Sequence, residues 1–265
     1  MRLEISVLSK PGGRAVNEDA HGIWAGAGVC FCVVCDGAGG QGGGDVASKL
    51  AVSTTLAWFQ DSPQYSGAAI VAALRSANRA IMQQQGTEPR LANMRATVVV
   101  LAVDADHRRA AWGHLGDSRL YCFRDRRIVV QTRDHSVVQS MVEAGYLKAE
   151  DLRTAEQRSA LYAALGQEEN FEPRVAQTPF ALAGGDAFLL CTDGFWEYID
   201  EAAMERALGE AASSKQWLHS MEARVVECGG KTQDNYSALA IWCSEPPGED
   251  GKAPRPGSTA ASISL

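Results

Sequence analysis

The chain has 265 residues, which is enough for one large single-core domain, and its 46% hydrophobic and 22% charged residues are an ordinary globular composition. Its formal net charge of −7 gives no electrostatic support to a role in binding nucleic acid. The apolar runs are too short for a membrane span, and residues 1–4 carry no apolar signal-peptide core. We therefore expect a cytoplasmic protein that does not act at a membrane.

Runs of β-branched and aromatic residues predict strands at residues 29–35, 97–103, 110–114, 120–123, 188–191 and 238–243. The spacing of apolar residues predicts helices at residues 45–59, 66–84, 134–144, 201–212 and 214–228. The predicted strands between residues 97 and 123 follow one another so closely that they indicate an antiparallel meander. This pattern predicts β-sheets that stack as layers, with helices packed on their outer faces.

Cysteines are concentrated in the apolar run 29–35, at Cys30, Cys32 and Cys35. On a strand, Cys30 and Cys32 face one way and Cys35 the other, so the three do not readily share one metal ion. The odd total of seven cysteines also argues against a disulfide framework. We interpret these cysteines as small core residues in a reducing compartment.

Acidic residues recur where the predicted strands begin or end, at Asp36, Asp117, Asp193 and Asp234. Two more, Glu18 and Asp19, lie near the N-terminus ahead of Trp24. Turns at strand ends can bring such side chains to one rim of a sheet, where their oxygens suit hard cations such as Mg²⁺ and Mn²⁺. Asp36 could bridge two ions while Gly37 offers its carbonyl, and two ions about 3.5–4 Å apart activate a water and neutralise a phosphoryl group. One Asp-Gly after a strand usually marks only a turn, so the recurrence carries this hypothesis.

Several motifs occur in a fixed order, namely RAVNEDA (14–20), VCDGAGG (34–40), GHLGDSR (113–119), DHS (134–136), LYAALG (161–166), LCTDG (190–194) and DN (234–235). Together they resemble the metal-dependent serine/threonine protein phosphatases of type 2C (PPM), in their bacterial form. The resemblance implies an α+β fold, a four-layer α-β-β-α sandwich of two antiparallel sheets flanked by helices. It covers residues 1–243, which we take as the phosphatase domain. Residues 244–265 are rich in Pro, Gly and Ser and read as a flexible C-terminal tail.

The resemblance also implies a metal centre with two catalytic Mn²⁺ or Mg²⁺ ions and a third, more weakly held ion. Asp36 bridges the catalytic pair and the Gly37 carbonyl binds one of them, while Asp193 and Asp234 complete the shell of the other. The remaining implied roles are a contact through an ion-bound water for Glu18, steadying of the waters for Asp19, and a ligand to the third ion for Asp117.

Arg14 is the residue that the resemblance places on the substrate phosphate, because a planar fork of donors suits phosphate oxygens. With Asp36 it makes up the implied catalytic pair. The implied reaction is hydrolysis of phosphoserine and phosphothreonine in proteins by a metal-activated water, in opposition to a serine/threonine kinase. The partners expected are phosphoprotein substrates and a cognate kinase, for a protein that is itself a monomer.

Gln41 departs from the family pattern, because bacterial relatives often carry histidine there to protonate the leaving alkoxide. Glutamine cannot act as a general acid at neutral pH, and losing such an acid costs about 10²–10⁴-fold in the affected step. His21 and His114 could supply a proton, although a structural role suits both better. A weakly active or inactive phosphoprotein-binding module is therefore the alternative function.

Two further features of the sequence remain open. Gly37, Gly39 and Gly42 match the GxGxxG pattern of dinucleotide-binding proteins, with Asp61 at a suitable distance for a ribose contact. The charge of Asp36 and the other strand-end aspartates argue against that assignment. Residues 137–169, which we call the flap, correspond to the family's variable segment, where substrate selection is expected. In front of the flap, Asp134 or Ser136 is expected to cap a helix.

Overall fold

The computed structural model describes residues 1–26, 28–39, 43–246 and 263–264. The strands are β1 (Arg2–Lys10), β2 (Ala20–Gly26), β3 (Val29–Cys35), β4 (Gly37–Ala38), β5 (Arg95–Ala96), β6 (Val98–Asp104), β7 (Arg109–Leu115), β8 (Arg119–Arg124), β9 (Arg127–Gln131), β10 (Arg174–Val175), β11 (Phe180–Ala181), β12 (Ala187–Cys191), β13 (Tyr236–Ser244) and β14 (Ile263–Ser264). The helices are α1 (Gly44–Asp61), α2 (Gly67–Gln85), α3 (Val137–Glu143), α4 (Asp193–Trp196), α5 (Glu201–Glu210) and α6 (Ser214–Gly229). Short 3₁₀ helices span Pro89–Leu91, Ala149–Arg153 and Gly230–Thr232.

Two large sheets contain most of the described strands. Sheet 1 has the order β14-β1-β13-β12-β8-β9, and sheet 2 has the order β10-β7-β6-β3-β2, with β11 also paired to β7. Strand neighbours are antiparallel except β1 and β14, which run parallel over two residues. The longest pairing joins the two ends of the domain, because β1 and β13 are in register from Arg2↔Ser244 to Lys10↔Tyr236.

Three hydrophobic cores lie between four layers. Alternate residues of β3 serve two of them: Phe31 and Cys35 pack in the core beneath α1 and α2, whereas Cys30 and Cys32 pack in the core between the sheets. The third core lies between sheet 1 and the helices α5 and α6, with Trp217 at full burial. The predicted α-β-β-α sandwich is confirmed, and so is the predicted facing of the cysteines on β3.

The predicted meander of three successive strands is wrong in its last step. β6 pairs with β7 in sheet 2, but β8 pairs with β12 and β9 in sheet 1. The crossing occurs at Gly116, whose φ of +99° is a left-handed conformation that favours glycine, and where a Cβ would lie 2.7 Å from Thr97. The chain therefore leaves one sheet for the other at the residue that precedes Asp117.

The predicted helices are all present, with shifted ends. The largest change is in α3, which begins after Ser136 because the Ser136 hydroxyl accepts a hydrogen bond from the backbone N–H of Gln139. Asp134 does not cap this helix, since its carboxylate binds the Arg119 guanidinium through two hydrogen bonds of 2.8 and 2.7 Å.

The end of the predicted domain lies close to the end of β13 at Ser244. Glu245 still contacts the sandwich through an ion pair with Arg108, while most of the predicted tail lies outside the described residues. The domain and tail boundary thus remains a prediction. Within the described ranges, no helix is long and apolar enough to cross a membrane.

Candidate metal centre

Five aspartates meet where the strands of both sheets end. Their places in the fold are Asp19 directly before β2, Asp36 directly after β3, Asp117 after β7, Asp193 at the start of α4 and Asp234 before β13. Charge repulsion from the other four reaches the Asp36 carboxyl, which shows that the fold brings these scattered residues together. We call this set the rim cluster.

Burial and like charge disfavour negative charge within the rim cluster. Burial first, and then the charges of Asp193 and its neighbours, raise the pKa of Asp36 well above its usual range. Burial, followed by Asp193, does the same for Asp117, and burial followed by Asp234 raises the pKa of Asp193. Although Asp36 and Asp193 keep some exposed surface, protein atoms surround their carboxyl groups. A divalent cation among these carboxylates would reverse the balance, because it attracts their ionised forms.

Asp19, the first aspartate of the rim cluster along the chain, is buried. The Thr192 hydroxyl donates to its Oδ2 at 2.9 Å, and the Ser237 backbone N–H donates to that hydroxyl at 3.0 Å. Its Oδ1 is buried and has no hydrogen-bond partner among the described residues. Burial accordingly raises the pKa of Asp19 to about 7. The spare oxygen is an acceptor that a water or a cation can use.

Gly37 and Glu18 lie against the first turn of α1. A Cβ on Gly37 would lie 2.0 Å from the Gly44 carbonyl oxygen, so this close approach of two backbones excludes a larger residue. A Cβ on Gly44 would lie 2.7 Å from Glu18 Oε1, so this second glycine leaves room for the Glu18 carboxylate. Asn235 fixes the Glu18 segment, because its Oδ1 accepts from the Glu18 backbone N–H at 2.7 Å.

Arg14 reaches the rim cluster from the loop between β1 and β2. Its Nη2 donates to Asp234 Oδ2 at 2.9 Å, and the two side chains are 58% and 47% exposed. The guanidinium is therefore both close to the acidic cluster and open to solvent, as a residue that receives a substrate phosphate must be.

The donor set fits a hard divalent cation in its chemistry, although the side chains have other partners in this structure. In the described part of the chain, no group of three or more His, Cys, Asp or Glu side chains is arranged to hold an ion. Oxygens of Asp193 and Asp234 instead accept backbone hydrogen bonds from Gly194 and Asn235, at 2.6 and 2.8 Å. The carboxylates of the rim cluster are nevertheless the oxygen donors that Mg²⁺ and Mn²⁺ prefer, and Asp19 Oδ1 has no other partner among the described residues.

Several residues that support the centre were not found from the sequence. Thr97 Oγ1 accepts from the Asp36 backbone N–H at 3.0 Å and contacts the Ser118 hydroxyl at 2.6 Å. Trp196 Nε1 donates to the Asp117 carbonyl at 2.9 Å. Their partners lie far away along the chain, so no local spacing could have marked them, except that Trp196 closely follows the TDG motif.

The structure describes two of the candidate proton donors, His21 and His114, but not position 41. Gln41 lies outside the described residues. His114 is buried, and its Nε2–H donates to the Arg133 carbonyl at 2.8 Å. Burial lowers its pKa to about 3, so the imidazole is neutral at pH 7 and cannot act as a general acid. His21 lies on β2 with an exposed side chain, and partial desolvation of its ring lowers its pKa. The burial of His114 fits the structural role that the sequence favoured.

The dinucleotide-binding interpretation does not fit the described fold. It requires a parallel crossover from the strand that carries the glycines, but β3 lies between β2 and β6 and is antiparallel to both. Asp61 is the last residue of α1, which starts beside the rim cluster and ends one helix length away from it.

Comparison with known sequences places the chain in a family. The sequence model described as "Protein phosphatase 2C" matches residues 12–232, which is most of the chain. The chain belongs to the protein phosphatase 2C family. The family resemblance drawn from the motifs is thereby confirmed.

Named relatives of this family are bacterial. Serine/threonine protein phosphatase PstP of Mycobacterium tuberculosis is 34% identical over 214 residues, which cover 80% of this chain and 40% of that protein. Serine/threonine phosphatase stp of Listeria welshimeri is 29% identical over 231 residues, which cover 85% of this chain and 89% of that protein. The chain thus spans less than half the length of PstP but most of the length of stp.

Solved structures of the family share the fold. The crystal structure of the M. tuberculosis phosphatase PstP/Ppp superimposes with a TM-score of 0.80 at 30% identity, covering 92% of this chain and 100% of that one. The catalytic domain of PstP in complex with two manganese ions gives a TM-score of 0.78 at 29% identity, covering 92% and 99%.

Proposed function

We propose that this protein hydrolyses phosphoserine and phosphothreonine in other proteins, and that it uses Mn²⁺ or Mg²⁺ held by the rim cluster. The observation that carries this proposal is the convergence of Asp36 with four other aspartates at one rim, with the exposed guanidinium of Arg14 beside them. Membership of the family, and relatives whose names are serine/threonine phosphatases, support the same reaction. The manganese-bound relative supports the choice of metal.

Four aspartates of the rim cluster would hold the ions in this proposal. Asp36 would contribute to both catalytic ions, the Gly37 carbonyl to one of them, and Asp193 and Asp234 to the other. Asp117 would hold a third ion. The ions supply an activated water and neutralise charge on the phosphoryl group.

The remaining side chains of the site orient water and substrate. Glu18 and Asp19 would orient the waters around the ions, a task for which Asp19 Oδ1 is suited because it has no hydrogen-bond partner among the described residues. Arg14 holds the phosphate in place of its present partner Asp234, whose exposed ion pair is of a kind that contributes little energy.

The proposed partners are phosphorylated proteins and a serine/threonine kinase that acts on the same substrates, for a monomeric phosphatase domain at residues 1–243. We also propose a cytoplasmic location. It is supported by the seven free cysteines, a thiol content typical of reducing compartments.

The test is hydrolysis of a phosphothreonine peptide by the purified chain with Mn²⁺, with Mg²⁺ and with a chelator. We expect turnover that requires metal and that falls by at least about 10²-fold in Asp36→Asn, since loss of a bridging carboxylate removes a ligand of both ions. The control is Asp61→Asn, an equivalent change at an exposed position, which we expect to leave turnover unchanged.

The alternative function, a phosphoprotein-binding module with weak or no activity, is not favoured by the phosphatases among the relatives. It was motivated by Gln41 alone. Tight binding of the phosphopeptide without metal-dependent turnover would support the module and contradict the proposed enzyme.

A further inference from the structure

Trp196 connects two parts of the candidate metal centre. It is the last residue of α4, the single turn that starts at Asp193, and its side chain is buried. Its indole Nε1 donates to the backbone carbonyl of Asp117 at 2.9 Å. The turn that carries one rim aspartate therefore holds the backbone of another.

The indole ring of Trp196 is fixed on one face by Arg119. The Arg119 guanidinium carbon lies 3.4 Å from the ring centroid, a cation–π contact in a buried environment. Asp134 locks this guanidinium through two hydrogen bonds, and a third runs from its Nη1 to the Tyr121 hydroxyl at 3.1 Å. The ring has little freedom to move away from the Asp117 carbonyl.

Two arginines of the flap bind α4 and the residue that follows it. Arg153, in the 3₁₀ helix Ala149–Arg153, donates from Nε to the Trp196 carbonyl at 3.1 Å and from Nη2 to Glu201 at 2.9 Å. A second flap residue, Arg158, binds Glu197 at 2.8 Å, one residue after Trp196. The backbone of Trp196 therefore has one direct partner in the flap, Arg153, whose guanidinium carbon also lies 5.9 Å from the centroid of the indole ring. The indole N–H has its partner at Asp117.

We propose that Trp196 is a positioning residue that holds Asp117 for cation binding, and that Arg153 links this position to the seating of the flap. The inference rests on the proposed function, because it assigns Asp117 to an ion. It extends that function by naming the residues through which the seating of the flap affects the ion site at Asp117. Outer partners of metal ligands typically change metal affinity by about 10–100-fold.

The first test is Mn²⁺ binding by isothermal titration calorimetry, with Trp196→Phe compared with Trp217→Phe. Phenylalanine keeps a ring for Arg119 but removes the indole donor. Trp217 is a matched control, since it is equally buried and its Nε1 also donates to a backbone carbonyl, that of Met204 at 3.2 Å, away from the rim cluster. We expect the weakest Mn²⁺ step to lose about tenfold in affinity in Trp196→Phe and to be unchanged in Trp217→Phe.

The second test removes the flap contact with Arg153→Met. Its control is Arg124→Met. Arg124 binds a carboxylate, that of Asp186, and a backbone carbonyl, that of Ala181, whereas Arg153 binds the Glu201 carboxylate and the carbonyls of Trp196 and Ile199. We expect a weaker Mn²⁺ step of the same kind for Arg153→Met only. This pair decides the question if Trp196→Phe does not fold.

The outcomes separate this inference from the function beneath it. Equal Mn²⁺ affinities in Trp196→Phe and Trp217→Phe, or in Arg153→Met and Arg124→Met when Trp196→Phe does not fold, with normal binding by the wild type, would overturn the positioning role and leave the phosphatase intact. Absence of Mn²⁺ binding by the wild-type chain would overturn both.

Discussion

Arg14 and Asp234 form an ion pair at the surface of the rim cluster, and its exposure has a consequence for catalysis. An exposed pair contributes little free energy, so Arg14 can exchange Asp234 for a substrate phosphate at little cost. We predict that Arg14→Ala lowers kcat/KM for a phosphothreonine peptide by about 10–100-fold, the value of a charge-assisted hydrogen bond. Arg14→Lys should recover part of this loss, since lysine keeps the charge without the planar fork.

Steady-state kinetics in saturating Mn²⁺ measure this effect. Arg109→Ala is the control, because Arg109 is exposed at the end of β7 that is remote from Asp117. Equal kcat/KM values for Arg14→Ala and Arg109→Ala would show that Arg14 does not bind the phosphate.

A serine caps the first turn of α2, which packs on the sandwich, and another caps that of α3, which lies in the flap. The same Ser→Ala substitution can therefore be compared at the two helices. Ser66 accepts from the backbone N–H of Ala69 at the start of α2, and Ser136 accepts from that of Gln139 at the start of α3, both at 3.1 Å. Loss of a cap costs about 1 kcal/mol. We predict that Ser66→Ala lowers the free energy of unfolding of the whole domain by this amount and leaves turnover unchanged.

Ser136→Ala should act locally instead, because α3 is a short helix whose opening need not unfold the sandwich. Amide hydrogen exchange should rise at residues 137–143 while the melting temperature changes little. A drop in melting temperature as large as that of Ser66→Ala would mean that the flap unfolds together with the sandwich.

At this scale the sequence predicted single elements well and their pairing less well. β3 matches its predicted bounds because a continuous apolar run between Gly28 and Asp36 has clear ends. β1 was not predicted although Leu3 and Ile5 alternate with polar residues at the period of a strand, and β2 was not predicted because it is mostly half-buried and lacks a clear apolar face. The change of sheet at Gly116 could not be predicted, because strand spacing reports order along the chain and not which sheet a strand joins.

The rim cluster was predictable as a list of residues but not as a geometry. Asp36, Asp117, Asp193 and Asp234 were found because each stands beside a predicted strand within a recognisable motif, whereas Asp19 was found from the motif alone. Supports such as Thr97 and Trp196 contact the cluster from distant positions. Their side chains are ordinary core or strand residues until the fold is known.

For the molecule as a whole, His114 predicts sensitivity to acid. Burial lowers its pKa to about 3 in the folded protein, against 6.5 for an ordinary histidine. Between these values the unfolded chain binds a proton that the folded chain does not, so stability falls as the pH falls from 6.5 towards 3. The contribution is about tenfold in the unfolding constant per pH unit.

Chemical denaturation at several pH values in chelator measures this slope. The raised pKa values of the rim cluster act in the opposite direction, so the quantity to compare is the difference between the wild type and His114→Gln. We expect the variant to become more stable relative to the wild type as the pH falls below 6.5. His219→Gln, at an exposed position of α6, is the control and should show no such trend. Parallel pH profiles for His114→Gln and the wild type would contradict the prediction.

The pairing of β1 with β13 also determines how late during translation the domain can complete its fold. The first strand leaves the ribosome roughly 10–45 s before its partner, at about 5–20 residues per second, because more than two hundred residues separate Lys10 from Tyr236. Until then β1 has an open edge, and contacts of such long range make folding slow. Asp234 emerges at the same late moment as β13, so a nascent chain cannot assemble its carboxylates early. The proposed activity is therefore expected only after β13 has been translated.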